Sequence, residues 1–412
     1  MKAKFTLILS MLAFIPGMIL GQSLYSSVGF GELTIPGTIR TAGMGSAGIA
    51  VRDMNEISLI NPAHWYTAEL TGLTTKIYSN QYMNSGNVVS SRLAFDAFNF
   101  HFPIGSKLGV ALGFSPYSYM GYHYQRDGLQ RGVSDSITYS LEQSGDGGVG
   151  GYFLGFGLKL NDHLSVGSAV SLLVGQLRID RILRITQPTD FFNRKVENSS
   201  NLSGTNIIFG ASYQHLLTTN DNLSVRGEIP LGLVVNRDIT YYTGSTTSNT
   251  AHARLTNMKW PLQLGAGYST PVTGRWLAMA EAYYWDPQTT QPSIDYIGQN
   301  TFSQDTGYQL SVGVEYSSIP DADDWWNRVA LRTGLSWRRY LITDNAGDHA
   351  YGLKWSGGFG FPFGRGANRF DVSVFYGQRT GLSTSNLSEQ LMGFQIGITV
   401  GELWFHSGRR PN

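Results

Sequence analysis

The stretch MGFQIGITVG, residues 392–401, decides the fold of this chain. Every second residue is large and apolar, from Met392 to Val400, and the residues between them are Gly, Gln or Thr. Successive side chains of a β-strand point to opposite faces of the sheet. This period of two therefore predicts a strand with one apolar face and one face of small or polar residues.

The same alternation recurs in four further segments, near residues 152–160, 308–316, 351–361 and 369–376, and helical periodicity is nearly absent from residue 73 onward. The apolar face often begins and ends with an aromatic residue, which is typical of the aromatic girdles of an outer-membrane β-barrel. A secreted sandwich or propeller also alternates, and it stays open as an alternative. Its polar face, however, rarely carries so much glycine, so the pattern favours the barrel.

Composition agrees with a barrel and excludes several classes of function. The 412 residues include 50 glycines and 13% aromatic residues, but only 14% charged residues, against roughly 25% in soluble globular proteins. The net charge is +1 and no run is rich in Lys or Arg, so we expect no nucleic-acid partner. The chain has no cysteine, which excludes disulfides, thiolate metal sites and a cysteine nucleophile.

Residues 1–21 have the pattern of a signal peptide. Lys2 and Lys4 precede an apolar run from Phe5 to Leu20, and Gly21 is a small residue at the expected cleavage site. An uncleaved helical anchor is the alternative, but Pro16 and Gly17 interrupt the apolar run, which falls short of the roughly 20 residues that a helix needs to span a bilayer. We expect a mature protein exported to the outer membrane of a Gram-negative cell.

Connection lengths give an independent count of strands. Six short turns alternate with seven longer segments, among them residues 127–149 and 186–205, and outer-membrane barrels pair short periplasmic turns with longer extracellular loops. The count predicts 14 strands with both mature termini in the periplasm, provided that residues 136–143 belong to a loop. We therefore predict an all-β protein: a transmembrane antiparallel β-barrel of about 14 strands over residues 71–407, preceded by a plug, or hatch, over residues 22–70.

The predicted hatch contains RTAGMGSAGIAVRDMNEISLINPA, residues 40–63. Together with the strand count, this stretch resembles the FadL family of outer-membrane transporters for hydrophobic compounds and relatives such as PorV. The resemblance implies a hatch inside the lumen, and it maps onto the residues Gly43, Gly45, Gly48, Asp53, Asn61, Pro62 and Ala63. His64 and Trp65 follow where the family more often has Gly-Leu, so the resemblance is that of a divergent member.

Six ionisable residues fall on the face of the strands that points to the predicted lumen: Lys159, Glu315, Lys354, Arg369, Asp371 and Arg379. Two interpretations are open. In the first, these charges keep the lumen hydrated and anchor the hatch through residues such as Arg40, Arg52 and Asp53. In the second, they bind a polar head group. The first interpretation is the more ordinary one for a row of charges.

Other motifs carry no site. Residues 43–48 form a literal G-x-G-x-x-G, but no apolar strand precedes them and no βαβ unit follows, so we expect no nucleotide cofactor. The eight His residues are scattered, and the acidic residues near 321–324 lack the pattern of a calcium loop. No nucleophile elbow is present. We predict neither an enzyme, nor a metal site, nor a cofactor.

Two functions remain. The first is passive uptake of hydrophobic compounds, as in the FadL family, with membrane lipid and a hydrophobic small molecule as partners. The alternative is a non-transporting barrel for binding or assembly, similar to PorV, with a secretion component or surface protein as partner. An apolar pocket next to the hatch favours uptake, whereas a charged or filled lumen favours the alternative.

Overall fold

The computed structural model describes residues 23–403 except for 85–88, 132–135, 186–192, 219, 244–245, 288–301, 320–321, 345, 365–366 and 383–386. The predicted signal peptide, residues 1–21, lies outside the described residues, as do residues 404–407 of the predicted barrel. Among the helices in the described part of the chain, none is long and apolar enough to cross a membrane.

The chain folds almost entirely into β-strands. The strands are β1 (Glu32–Leu33), β2 (Thr71–Asn84), β3 (Val89–Ile104), β4 (Leu108–Arg131), β5 (Ser136–Lys159), β6 (Leu164–Ile185), β7 (Arg194–Gln214), β8 (Asn222–Thr243), β9 (Thr246–Met258), β10 (Leu262–Pro271), β11 (Trp276–Asp286), β12 (Phe302–Gln304), β13 (Gly307–Tyr316), β14 (Ala330–Asp344), β15 (His349–Phe363), β16 (Asn368–Leu382) and β17 (Leu387–Glu402). Four short helices cover Leu24–Ser26, Ile39–Ala42, Pro62–Thr67 and Trp325–Arg328.

The strands close into an antiparallel barrel because β17 pairs with β2. β9 and β10 both pair with β8, so they count as two parts of one interrupted barrel strand. The short β1 and β12 do not count as separate barrel strands. The barrel therefore has 14 strands, which confirms the predicted fold class. We call its two ends the turn end, where the connections are short, and the loop end.

The outward face shows why this sheet belongs in a membrane. Large apolar side chains such as Leu154, Leu172, Leu310 and Leu353 are each more than half exposed. They alternate with inward residues that are buried or small, as the sequence pattern predicts. A contiguous apolar belt of this size around a closed barrel is the surface that lipid covers.

Residues 136–143 are not in a loop, so that part of the prediction is wrong. They begin β5 and pair with the end of β4, from Gln143 opposite Tyr124 to Ser136 opposite Arg131. Residues 194–205, also predicted as loop, lie in β7. The predicted count of 14 is still correct, because these residues lengthen existing strands beyond the belt and add no new barrel strand.

These long strands form a wall beyond one side of the barrel. β4–β9 continue past a row of paired residues that contains Tyr119, Gly148, Gln176, Asn201 and Asn236, and we call this continuation the wall. The outward face of β6 is apolar up to Val174 and then carries Arg178, Asp180 and Arg184. The register of β6 is continuous with both neighbours, so this change marks the end of the apolar belt.

The N-terminal segment, residues 23–70, runs through the ring of strands. Its first described residue, Ser23, donates to Glu389 near the loop end, and Leu70 precedes β2 at the turn end. Between them the segment contacts strands on all sides: Trp65 lies against β4, Ile49 against β10, Met44 against β14 and Ile39 against β17. Most of its apolar residues are buried.

Candidate functional site: the packed lumen

A row of glycines on four neighbouring strands lines the inner face of the barrel where the segment makes its closest contacts. Gly109, Gly157, Gly167 and Gly210 lie on β4, β5, β6 and β7, and each is the direct cross-strand partner of the next. We call them the glycine row. A Cβ atom on Gly167 would lie 2.4 Å from the carbonyl carbon of Pro62. Only glycine, which has no Cβ, permits this backbone approach.

The turn at Asn61, Pro62 and Ala63 docks on the glycine row. Asn61 caps the short helix Pro62–Thr67: its side-chain oxygen accepts from the Ala63 N–H at 3.0 Å, and its amide donates to the Ile49 carbonyl at 3.0 Å. A Cβ on Gly210 would overlap the same Asn61 oxygen. Asn61 is fully buried, so it fixes the turn against both the glycine row and Ile49 of the segment.

His64 belongs to this contact as well. Its Nε2 atom lies 3.0 Å from the Ile49 carbonyl oxygen and 3.2 Å from the Ser224 hydroxyl on β8. Burial lowers the pKa of His64 to about 4, so the imidazole is neutral at physiological pH. The departure from the family pattern at this position therefore adds a polar contact between segment and barrel.

The predicted glycines of the segment lie in the tight turn that follows the helix Ile39–Ala42. Gly43 caps that helix, and Gly45 has a φ of +73°, a left-handed conformation that favours glycine. The Gly45 N–H donates to the Ser356 hydroxyl at 2.8 Å, and the Gly48 N–H donates to the Glu281 carboxylate at 2.6 Å. This turn is thus held by side chains of β15 and β11.

Seven charged residues join the segment to the other side of the barrel. Arg40 binds Glu315 of β13 through two nitrogens, at 2.6 and 2.8 Å, and Asp53 at 3.1 Å. Arg369 of β16 binds Asp53 at 2.7 Å and Glu56 at 2.6 Å. Arg332 and Asp371 complete the group, which we call the ion network: Arg40, Asp53, Glu56, Glu315, Arg332, Arg369 and Asp371.

The ion network has four carboxylates and three guanidinium groups. Burial raises the pKa of Glu56 to about 8, against the opposing effect of Arg369. Burial alone would also raise the pKa of Asp53, but Arg369 and Arg40 hold it well below its ordinary value. The raised pKa of Glu56 favours its protonated form, which offsets the excess of one carboxylate in the network.

The structure places the six predicted inward residues in different surroundings. Glu315, Arg369 and Asp371 belong to the ion network, and Arg379 pairs with Glu32 of β1 at 2.7 Å. Lys354 donates to the Ser46 hydroxyl at 3.0 Å. Lys159 pairs instead with Asp162 of the neighbouring turn at 2.9 Å, at the turn end.

Sequence reasoning missed four participants: Glu32, Glu56, Glu281 and Arg332. Arg332 and Glu281 follow the inward phase of β14 and β11, because Arg332 lies between outward Leu331 and Thr333. The period-two pattern of these strands therefore already indicated that Arg332 and Glu281 point into the lumen. Glu32 lies in the two-residue β1 and Glu56 in irregular backbone, and neither stretch is long enough to show a periodicity that indicates direction.

One cavity beside the segment is small, and a larger pocket of about 840 Å³ lies at the turn end beside Arg52, Met54 and Lys159. A cavity of about 170 Å³ lies between the segment and β2, β3 and β13–β17, and its lining includes the charged side chains of Lys76, Asp96, Arg338, Lys354 and Arg379. We call it the lumen cavity. Lys76 pairs with Asp96 at 2.5 Å. The cavity next to the segment is therefore lined by charged side chains together with apolar ones such as Ile35, Phe375 and Leu391.

An apolar cluster closes the lumen toward the loop end. Phe30 and Leu33 of the segment pack with inward residues of β4–β11 and with Trp260, which is fully buried. Leu177 and Ile179 of the wall belong to the same cluster. The wall thus covers the segment with its inner face.

The described strands β3 and β4 pair over only part of their length. β3 pairs with β2 from Val89 to His101, but it pairs with β4 only from Phe98 to Ile104. Beyond Phe114, β4 turns to the segment instead, where Tyr119 pairs with Glu32 and Ser118 with Leu33. We call the opening the β3–β4 gap. Asp96 and Tyr119 line both the gap and the lumen cavity.

The closed 14-stranded barrel, the apolar belt and the packed N-terminal segment define the class: a transmembrane outer-membrane β-barrel of the FadL-like fold. Three solved structures share the fold at 13% identity each: a Pseudomonas aeruginosa FadL homologue (TM-score 0.61, covering 90% of this chain and 99% of that one), the P. putida toluene transporter TodX (0.56, 91% and 100%) and the Ralstonia pickettii toluene transporter TbuX (0.58, 90% and 100%). Their likeness confirms the predicted resemblance at the level of fold.

A comparison of the sequence with protein-family models assigns the family. The BamG family model matches residues 2–410, nearly the whole chain, and the protein belongs to the BamG family. The comparison with curated proteins found no significant match.

Proposed function

We propose that this protein is a non-transporting outer-membrane barrel that binds a partner protein, with the turn end in the periplasm and residues 23–70 as a permanent plug. The packed, charged lumen carries this proposal. The ion network binds the segment to β13, β14 and β16, and the glycine row binds it to β4–β7. A barrel with this filling offers its outer surfaces, and not a pore, to other molecules.

The wall supports the same proposal. It extends β4–β9 beyond the apolar belt, and its outward face on β6 and β7 carries paired charges, among them Arg178 with Glu197 at 2.8 Å. This extension gives the barrel a rigid and polar surface above the bilayer, which a partner protein can bind. We propose that the partner is a secretion component or a surface protein.

The experiment compares assembly and uptake in the same cells. We expect the protein to migrate on native gels of solubilised outer membranes as a complex with one stoichiometric partner, and a strain without it to take up labelled fatty acid and toluene at the wild-type rate. In planar bilayers, we expect the full-length protein to be closed and a variant lacking residues 23–68 to conduct. A monomer on the native gel, together with a loss of uptake in the deletion strain, would overturn the proposal.

Passive uptake of hydrophobic compounds, as in the FadL family, is the second candidate, and the β3–β4 gap is the observation that favours it. The gap adjoins the lumen cavity and opens within the apolar belt, beside exposed Leu93 and Phe95. Two relatives by fold are described as toluene transporters. In this candidate, cargo enters from the loop end and leaves through the gap into the bilayer.

A further inference from the structure

The two sides of the β3–β4 gap differ in how their backbone groups are paired. On the β4 side, the N-terminal segment supplies partners: β1 pairs with Ser118 and Tyr119, and Thr34 donates to the Tyr117 carbonyl at 2.9 Å. On the β3 side, residues 90–97 pair with β2 but have no strand partner across the gap within the described chain. Among the described residues within the apolar belt, the gap therefore leaves the strand edge of β3 open. β4 beyond Gly121 also lacks a strand partner on this side, but that stretch belongs to the wall.

This edge lies in the part of the barrel that faces lipid. Its outward side chains include Leu93, which is 39% exposed, and Phe95, which is 53% exposed. An unpaired N–H or C=O group is strongly unfavourable in the hydrocarbon region, and an open edge is a template for another strand. The edge thus presents a row of hydrogen-bonding groups where lipid chains offer none in return.

The chemistry of the edge selects its occupant. A row of alternating N–H and C=O groups at strand spacing is satisfied by another strand, which offers the complementary groups at the same spacing. A hydrocarbon or an acyl chain covers the edge but makes no hydrogen bond to it. Behind the edge, the Arg92 guanidinium stacks over the Tyr119 ring at 4.7 Å, so the lumen side is backed by a cation.

We propose that the β3 edge, residues 90–97, accepts a β-strand from a partner outer-membrane protein, which extends the sheet at the β3–β4 gap. The added strand presents apolar side chains to lipid beside Leu93 and Phe95, and polar or acidic ones toward Arg92. This inference rests on the proposed function, since it assigns the surface at which the partner binds.

The test places a photo-crosslinking amino acid, p-benzoylphenylalanine, in cells at Leu93 or Phe95, and as matched controls at Leu310 or Val312 of β13. The control side chains are 51% and 53% exposed and point to lipid away from the gap. Each variant is first shown to be folded by its change in electrophoretic mobility on heating. We expect a crosslinked protein band at Leu93 and Phe95 and none at Leu310 and Val312.

Adducts with lipid alone at Leu93 and Phe95, or equal protein bands at all four positions, would overturn the proposal. The native gel separates this failure from failure of the proposed function. If the complex persists while the edge gives no protein adduct, the partner binds elsewhere. If the complex is also absent, the proposed function fails with it.

Discussion

Replacing Arg369 with methionine tests whether the ion network holds the N-terminal segment. Arg369 lies at the junction of segment and barrel, where it binds Asp53, Glu56 and Asp371 at 2.6–2.7 Å. Removing one partner of a buried ion pair costs about 3–5 kcal/mol. In the variant, Asp53 still pairs with Arg40 and Asp371 still pairs with Arg332. We therefore expect a loss of stability at the lower limit of this range, about 3 kcal/mol.

Hydrogen exchange of the peptides that cover residues 40–60 measures this cost locally. A loss of about 3 kcal/mol corresponds to about a 100-fold faster opening of the segment. Arg178→Met is the matched control, because Arg178 is half exposed and pairs with Asp180 and Glu197 on the outside of the wall. Exposed pairs contribute about 0–1 kcal/mol, so exchange in residues 40–60 should stay close to wild type in the control.

The reasoning fails if exchange in residues 40–60 changes less than about fivefold in Arg369→Met, the limit for an exposed pair. It fails equally if the strands and the segment lose protection together, because the network would then stabilise the barrel as a whole. A selective loss in the segment, with the strands unchanged, supports the network as its anchor.

Three further changes probe the same contacts. Gly167→Ala should cost about 1–3 kcal/mol in chemical denaturation, because its Cβ would meet Pro62 backbone; Gly232→Ala, whose Cβ meets nothing within 4 Å, should be neutral. Because the folded-state pKa of Glu56 is raised to about 8, the folded protein binds more protons than the unfolded one between about pH 4.5 and 8, and stability should fall as pH rises through this range. Glu56→Gln should flatten that slope in denaturation curves measured across the range; an unchanged slope would assign it to another group. Asn61→Ala should cost about 1–3 kcal/mol in the same assay, because Asn61 is buried, whereas Asn161→Ala, which removes a similar cap from an exposed turn, should cost about 1 kcal/mol or less.

The sequence predicts the barrel because alternation, turn length and apolar exposure follow from local rules. Residues 392–401 illustrate this: each of the large residues from Met392 to Val400 takes the outward phase that the period of two requires. The extent of β4 and β5 was not predictable in the same way. A strand that continues above the bilayer keeps its alternation, so the alternation alone does not mark where lipid ends. Only a change in the outward residues does, as on β6 after Val174.

The site was only partly predictable, since contacts between the segment and the barrel strands join residues up to hundreds of positions apart. The inward phase indicated Glu315 and Arg369, and Arg40 and Asp53 were expected among the hatch residues that pair with such charges. The sequence could not indicate which residue pairs with which. The glycine row had no signal in any single strand, because scattered glycines are common in this chain. It becomes visible only when the register places Gly157 beside Gly167 and Gly167 beside Gly210.

The contacts of the segment also bear on the choice between the two functions. A ligand shifts a conformational equilibrium only through its differential affinity for the two states. A hydrocarbon offers no charge to replace Arg40 at Glu315 and no hydrogen bond to replace Gly48 at Glu281. It therefore gains nothing from displacing the segment, and a path along the barrel axis is not opened by such a cargo. Uptake must then use the β3–β4 gap, which is the same opening that we assign to a partner strand. A single crosslinking experiment at Leu93 and Phe95 therefore separates the two functions.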